Sequence, residues 1–170
     1  MAQDPSRIRT VALAGQGGAG KTTIADALAF AGGGIGRLGR VDDETSLFDT
    51  EPEEMRRRCT ITTSLHHFAW NKNEVTILDT PGQGNFVADA HYALRGAAGV
   101  VQVVDACTPV RAEAGKVWKW AADLGQPVLF VITKCDRSEA NVDARLEELA
   151  EELGAKPVLL TIPMIEGGTM

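Results

Sequence analysis

The chain has 170 residues, 44% of them hydrophobic and 24% charged, with a formal net charge of −6, which fits one globular domain whose core is large enough to fold alone. No apolar run approaches the roughly 18 residues a membrane span requires, and the opening Met-Ala-Gln-Asp-Pro-Ser-Arg lacks the apolar centre of a signal peptide. Cys59, Cys107 and Cys135 suit neither a disulfide framework nor a metal cluster and point to a reducing cytoplasm, while the negative charge argues against coating nucleic acid and against direct DNA binding.

Arg7–Ala14 alternates early, then turns apolar, and reads as a short strand. Gly15-Gln16-Gly17-Gly18-Ala19-Gly20-Lys21-Thr22 follows and fits GxxxxGK[ST]; Thr22–Ala31, rich in Ala and Leu, reads as a helix. A polyphosphate needs that order. A glycine-rich turn lets successive backbone N–H groups face one anion, and the start of the next helix adds partial positive charge. The cradle is expected to run from Gly15 through Thr23, with Lys21 on the β- and γ-phosphates and the Thr22 hydroxyl on magnesium.

Gly32–Arg58 resists regular structure, with a glycine cluster, an acidic stretch through Glu54 and the run Arg56-Arg57-Arg58. Structureless stretches of this length are usually functional or mobile. The position of this one, directly after the nucleotide-binding helix, favours a switch over a plain surface insertion. Thr60–Trp70 and Glu74–Asp79 read as two strands joined at Asn71-Lys72-Asn73, with one of His66 and His67 facing in and the other out.

Asp79-Thr80-Pro81-Gly82-Gln83 ends the second of these strands. Asp79 can hold magnesium, Gly82 can bring its N–H close to a γ-phosphate, and the Gln83 amide can orient an attacking water. Asn85–Arg95, Arg111–Leu124 and Ser138–Leu153 read as helices, the last with Ser138 as N-cap and a solvated acidic face at Glu147, Glu148, Glu151 and Glu152. Trp118 and Trp120 read as packing residues. Gly99–Asp105 and Pro127–Thr133 are continuous apolar runs of the kind that form buried parallel strands, and Lys156–Ile162 is a sixth candidate. Thr133-Lys134-Cys135-Asp136 matches [NT]KxD: Asp136 can accept from guanine N1 and N2 together, the Lys134 stem can lie along the base, and adenine offers no such donor pair. The expected fold is α/β, a three-layer α/β/α P-loop NTPase with a six-stranded, mainly parallel sheet and one antiparallel strand.

Together these motifs resemble the GTPase domain of translational GTPases, most closely of the elongation factor G type, over nearly the whole chain. Gly39-Arg-Val-Asp-Asp43, Asp49-Thr-Glu-Pro-Glu-Glu54, Phe68-Ala69-Trp70, Val117-Trp118 and Pro127–Asp136 also correspond, and Arg57-Arg58-Cys59-Thr60-Ile61-Thr62 stands where the family has RGITI. The resemblance implies that the acidic stretch is a first switch with Thr60 as its magnesium-binding threonine, and that Asp79 through the Asn85–Arg95 helix is a second. Four departures stand out: Gln83 for the family's histidine, Thr133 for asparagine, Gly18 for aspartate, and Arg58-Cys59 for Gly-Ile. No Ser-Ala pair is present for the guanine-contacting loop, and Leu160–Gly167 resembles the entry to an inserted subdomain. The resemblance therefore implies a GTP-binding domain over 1–170, cut from a longer multidomain protein and monomeric as a fragment.

The expected activity is magnesium-dependent hydrolysis of GTP to GDP and phosphate on the ribosome, in the cytoplasm and away from membranes. Lys21 would neutralise charge, Thr60 and Gly82 would hold the γ-phosphate, and Gln83 would position water. A nucleotide-operated binding switch, or an ATP-using enzyme in which Asp136 is idle, are the competing readings.

Overall fold

The structure, a computed structural model, describes residues 4–164. After a 3-10 turn at Pro5–Arg7 come β1 (Ile8–Gly15), α1 (Lys21–Ala31), a second 3-10 turn (Val41–Asp43), α2 (Pro52–Arg57), β2 (Ser64–Trp70) and β3 (Asn73–Asp79). Then follow α3 (Val87–Gly96), β4 (Gly99–Asp105), α4 (Ala112–Asp123), β5 (Val128–Thr133) and α5 (Val142–Leu153). The strand order is β2-β3-β1-β4-β5; β2 runs antiparallel to β3, and every other neighbouring pair is parallel.

Successive side chains on a strand point to opposite faces, and the packing follows that rule. Leu13 and Ile77 meet Ala25 and Ala29 of α1, with Phe48 and Phe68 completing this side. Ala12, Ala14 and Val100 meet Leu94 of α3 and Val117 and Ala121 of α4 on the other. Further along that side, Val104 and Ala114 pack on Leu149 of α5. Each large apolar side chain buried here contributes about 1.5–3 kcal/mol. Because β1 from Val11 onward and most of β4 are covered on both faces, those stretches are largely apolar rather than alternating. Register sets Leu13 opposite Asp79, Gly15 opposite Val103 and Asp105 opposite Thr133. The carboxyl ends of β1, β3, β4 and β5 thus lie together at one edge, and the crevice falls where the chain order reverses beside β1.

The β2–β3 turn is a type I′ pattern, with Asn71 at φ 48° and Lys72 at φ 64°. His66 packs between Phe48 and Phe68, while His67 is exposed and bonds Glu74, so one does face in and the other out. Trp118 packs on Phe130 and Trp120 on His91.

Several expectations need correction. The sheet has five strands, not six: Lys156–Ile162 forms no ladder among the described residues, and Val158, Leu159, Leu160 and Ile162 are exposed. Pro157 brings no N–H, and a segment that buries neither face gains nothing that offsets its ordering. The Leu160–Gly167 correspondence runs past the described residues. Strand β2 starts at Ser64 rather than Thr60, because residues 60–63 are bound elsewhere. Helix α5 starts after Asn141, whose side chain accepts from the Ala144 N–H; the Asn141 N–H itself is held by Ala106 O, and Ser138 lies in the preceding turn. Glu148 is not merely solvated: its carboxylate accepts the Val110 N–H at 2.8 Å and pairs with Arg145.

Candidate functional site

Gly15 through Gly20 link β1 to α1 and present the first turn of α1, which carries no acidic residue, toward the crevice. A Cβ on Gly15, at φ 141°, would fall 2.4 Å from Val103 O, so the turn out of β1 admits only glycine. Lys21 folds back beneath the loop, donating to Gly15 O at 3.2 Å and Gln16 O at 3.0 Å. Burial lowers the pKa of this lysine, and the nearby Asp79 carboxylate partly restores it. Thr23 is exposed on α1.

Three oxygens meet beside Lys21. The Thr22 hydroxyl donates to Asp79 Oδ2 at 2.6 Å, lies 3.1 Å from Thr60 Oγ1, and Thr60 Oγ1 in turn lies 3.4 Å from Asp79 Oδ2. These residues are 38 and 57 positions from Thr22 in the chain, yet the fold brings them to one point. Asp79 is fully buried, and its Oδ1 has no partner among the described residues. Burial pushes its carboxyl up to about 7, against the lowering effects of the Thr22 bond and of Lys21. A buried carboxylate oxygen without a partner beside two hydroxyls and a lysine is a site that a cation and an anion together would complete. The donor set of hydroxyl, carboxylate and polyphosphate oxygen is one that suits magnesium. It needs no cluster of three His, Cys, Asp or Glu, and none exists among the described residues.

Gly82 passes directly over this point. A Cβ there would lie 2.3 Å from Lys21 Nζ and 2.7 Å from Gly15 O, so only glycine allows the strand end to approach. Gln83 is exposed, and its Cγ would touch a Cβ on Gly17 at 3.4 Å; its stem therefore lies over the loop with the amide free to turn. The side chain of Gln16, by contrast, turns away from the crevice into the protein.

The [NT]KxD segment is fastened to the same loop. Thr133 donates to Ala19 O at 2.8 Å, and Lys134 donates to Gly18 O at 2.7 Å and to Asp105 Oδ2 at 2.6 Å. Lys134 sits at φ 57°, a left-handed position uncommon for any residue but glycine. Burial raises the Asp105 carboxyl, but the Lys134 ammonium and the Cys107 N–H outweigh it and hold the group below its ordinary value. Asp136, two residues on, is exposed. Desolvation pushes the Cys135 thiol up, away from a reactive thiolate.

The structure also supplies residues that pattern reading passed over. Glu54, fully buried, accepts the N–H groups of Thr50 and Glu51 on one oxygen and of Ile61 and Thr62 on the other. It thereby closes a loop from α2 to Thr60. Its place three residues after Glu51, at a helix start, was the available signal. Thr63 donates both its N–H, at 2.5 Å, and its hydroxyl, at 2.6 Å, to Asp89 on α3, joining the segment behind Thr60 to the helix behind Gln83. Asp105 was visible as the acidic end of an apolar strand; Gln16 had no signal, since its partners are more than 90 positions away.

Comparison with known proteins adds the following. The family described as Elongation factor Tu GTP binding domain matches residues 6–166. A mitochondrial protein named ribosome-releasing factor 2, from Debaryomyces hansenii, is 35% identical over 95% of this chain and 19% of its own length. Elongation factor G 1 of Geobacter sulfurreducens is 32% identical over 98% of this chain and 24% of its own. A crystal structure of a protein from Thermus thermophilus superposes with a TM-score of 0.88 at 37% identity, covering 96% of this chain and 24% of that one. The chain thus spans about a fifth to a quarter of the length of these relatives.

Proposed function

The chain belongs to the elongation factor Tu GTP-binding domain family, and on that premise we propose that it binds GTP and GDP with magnesium and hydrolyses GTP, serving as the nucleotide-operated part of a ribosome-associated translation factor. The observation that carries this reading is the convergence of Thr22, Thr60 and Asp79 on one point beside Lys21, with Asp79 Oδ1 buried and unpartnered among the described residues. Thr22, Thr60 and Asp79 are the residues to hold magnesium, which, when bound, offsets charge on the polyphosphate oxygens.

The remaining work falls to the chain's own groups. The amides of residues 17–20 and the start of α1 bind the phosphates. Lys21 exchanges its bonds to Gly15 O and Gln16 O for the β- and γ-oxygens. Gly82 brings its N–H against the γ-phosphate, and the Gln83 amide turns over Gly17 to orient water for in-line attack. The attacking water loses its proton to solvent or phosphate oxygen as the bond to the leaving GDP breaks. Asp136 accepts from guanine N1 and N2, with Lys134 held along the base by Asp105 and Gly18 O. Support for the ribosome as partner comes from the relatives' names.

Among the described residues no helix is long and apolar enough to cross a membrane. Single-turnover hydrolysis tests the proposal. Without a partner the rate is expected on the order of 10⁻⁴–10⁻² per second, and ribosomes are expected to raise it. Gln83→Ala is expected to remove most of that stimulation while leaving GTP affinity within about threefold, since it loses an interaction made only in the transition state. Turnover indifferent to both ribosomes and Gln83 would reject hydrolysis on the ribosome in favour of a binding switch.

A further inference from the structure

We propose that the Gln16 side chain is a positioning latch: it ties the phosphate loop to the segment ahead of α4 and so sets the shape in which the loop faces an anion. The inference rests on the reading of this loop as a nucleotide cradle and extends it to Thr108 and Arg111, which lie outside the cradle. Within residues 15–20 only Gln16 carries a side chain larger than a methyl group. That side chain is 2% exposed and spent entirely on the protein. Its Nε2 donates to Thr108 Oγ1 at 2.9 Å and to Pro109 O at 3.3 Å, and its Oε1 accepts the Arg111 N–H at 3.0 Å. Arg111 is the residue from which α4 starts.

What the latch controls is the peptide of Gln16. Its carbonyl oxygen receives Lys21 Nζ, and its carbonyl carbon lies 2.7 Å from where a Gly82 Cβ would be. A small rotation of this peptide therefore moves the lysine and crowds the strand end that must both meet the terminal phosphate. The loop has little of its own to resist such a rotation: its internal bond from the Ala19 N–H to Gln16 O is long, at 3.4 Å. At the far end of the loop, Thr133 and Lys134 hold Ala19 O and Gly18 O. At the near end, the latch does the same work. Without it, three partly buried polar groups would lose their protein partner, and an amide-rich loop would sample shapes in which its N–H groups do not converge.

The test measures affinity of the chain for magnesium-GDP and magnesium-GTP by titration calorimetry, with the thermal midpoint of the nucleotide-free protein recorded in parallel. Gln16→Ala is expected to weaken both nucleotides about tenfold and equally, since the loop serves both, while leaving the preference for GDP over ADP unchanged. Thr108→Val, isosteric but without a hydroxyl, is expected to weaken both about threefold, and Thr108→Ser to restore them. The double variant should bind no more weakly than Gln16→Ala alone, the signature of one shared interaction. Should Gln16→Ala fail to fold, the Thr108 pair decides the matter, because that side chain lies outside the loop. Wild-type affinity in Gln16→Ala and Thr108→Val, strictly additive losses, or a loss that alters the purine preference would each overturn the latch. A wild-type chain that binds no guanine nucleotide would overturn the parent reading and the latch with it, so the two failures are distinguishable.

Discussion

The phosphate loop with its strand ends, and the segment from Gly32 to Thr63, are built on opposite plans. The first is short and fixed by bonds that span the fold: Thr80 to Leu13 O, Thr133 to Ala19 O, Lys134 to Gly18 O. The second is long and its surface is laced with exposed ion pairs: Arg40–Asp43, Arg58–Asp42, and Arg56 and Arg57 sharing Glu53. Such pairs contribute about 0–1 kcal/mol each. The segment is held instead by a few buried contacts: the side chain of Phe48 in the α1 core, Asp26 of α1 accepting the Leu47 N–H, the four-fold acceptor Glu54, and Asp89 of α3 accepting from Thr63. The difference separates two tasks. A cradle that takes any polyphosphate is formed in advance, whereas the arm that carries Thr60 is tethered at few points and can be set by what the cradle holds.

The largest expected effect lies in the rigid half. Gly82→Ala places a methyl group within 2.3 Å of Lys21 Nζ, and the strand end or the lysine must move. Affinity for GDP and GTP should fall by about a hundredfold or more, the equivalent of about 3 kcal/mol of overpacking, read by titration with folding checked by circular dichroism. Affinity within threefold of wild type would mean that the strand end is as yielding as the arm.

Glu54→Ala strikes the arm's main anchor. Four partly buried N–H groups lose their acceptor, at about 2–4 kcal/mol in all, and hydrogen exchange at residues 50, 51, 61 and 62 should quicken at least tenfold while β1 and β4 stay protected. GTP affinity should fall more than GDP affinity, because Thr60 rides on the arm. Equal quickening across the sheet would contradict the division into two halves.

Asp49 makes the arm sensitive to pH. Burial, then Glu54, then Asp26, push its carboxyl up to about 6 from an ordinary 3.8. The folded arm thus holds this proton more tightly than the loosened arm does. Its contribution favours the docked arm fully below about pH 4 and is lost as pH rises through 6. Exchange at residues 47–50, corrected for intrinsic rate, should be slower at pH 5 than at pH 7.5, and Asp49→Asn should flatten the difference. An unchanged pH profile in that variant would remove Asp49 as its cause. The smallest effect belongs to the surface pairs: Glu53→Ala should leave the denaturant midpoint close to that of wild type, and a drop as large as that of Glu54→Ala would show that the arm depends on its exterior after all.

Most of the rigid half was legible in the residues. GxxxxGK[ST], the acidic strand end at Asp79 and the Thr133–Asp136 segment are local patterns, and the structure brings Lys21, Thr22, Asp79 and Gly82 together; Thr60, on the arm, entered only through the family resemblance, and the structure sets its hydroxyl beside Thr22 and Asp79. What escaped depended on partners remote in sequence. Gln16 reads as one more loop residue until Thr108 and Arg111 arrive beside it. Glu148 reads as solvated until the Val110 N–H seeks an acceptor. The expected sixth strand failed for the converse reason: an apolar run at Lys156–Ile162 supplies propensity, but a strand needs a neighbour and a face to bury, and its side chains have neither among the described residues.

The central claim is that one crevice grips a polyphosphate and reads a guanine through Asp136. Its most direct test is displacement of a fluorescent guanosine diphosphate from the magnesium-loaded chain by unlabelled GDP and, separately, by ADP. The account predicts that GDP displaces the probe at concentrations roughly tenfold to several hundredfold below those ADP requires, the effect of leaving a paired acceptor unmatched. Equal displacement by the two nucleotides would contradict it.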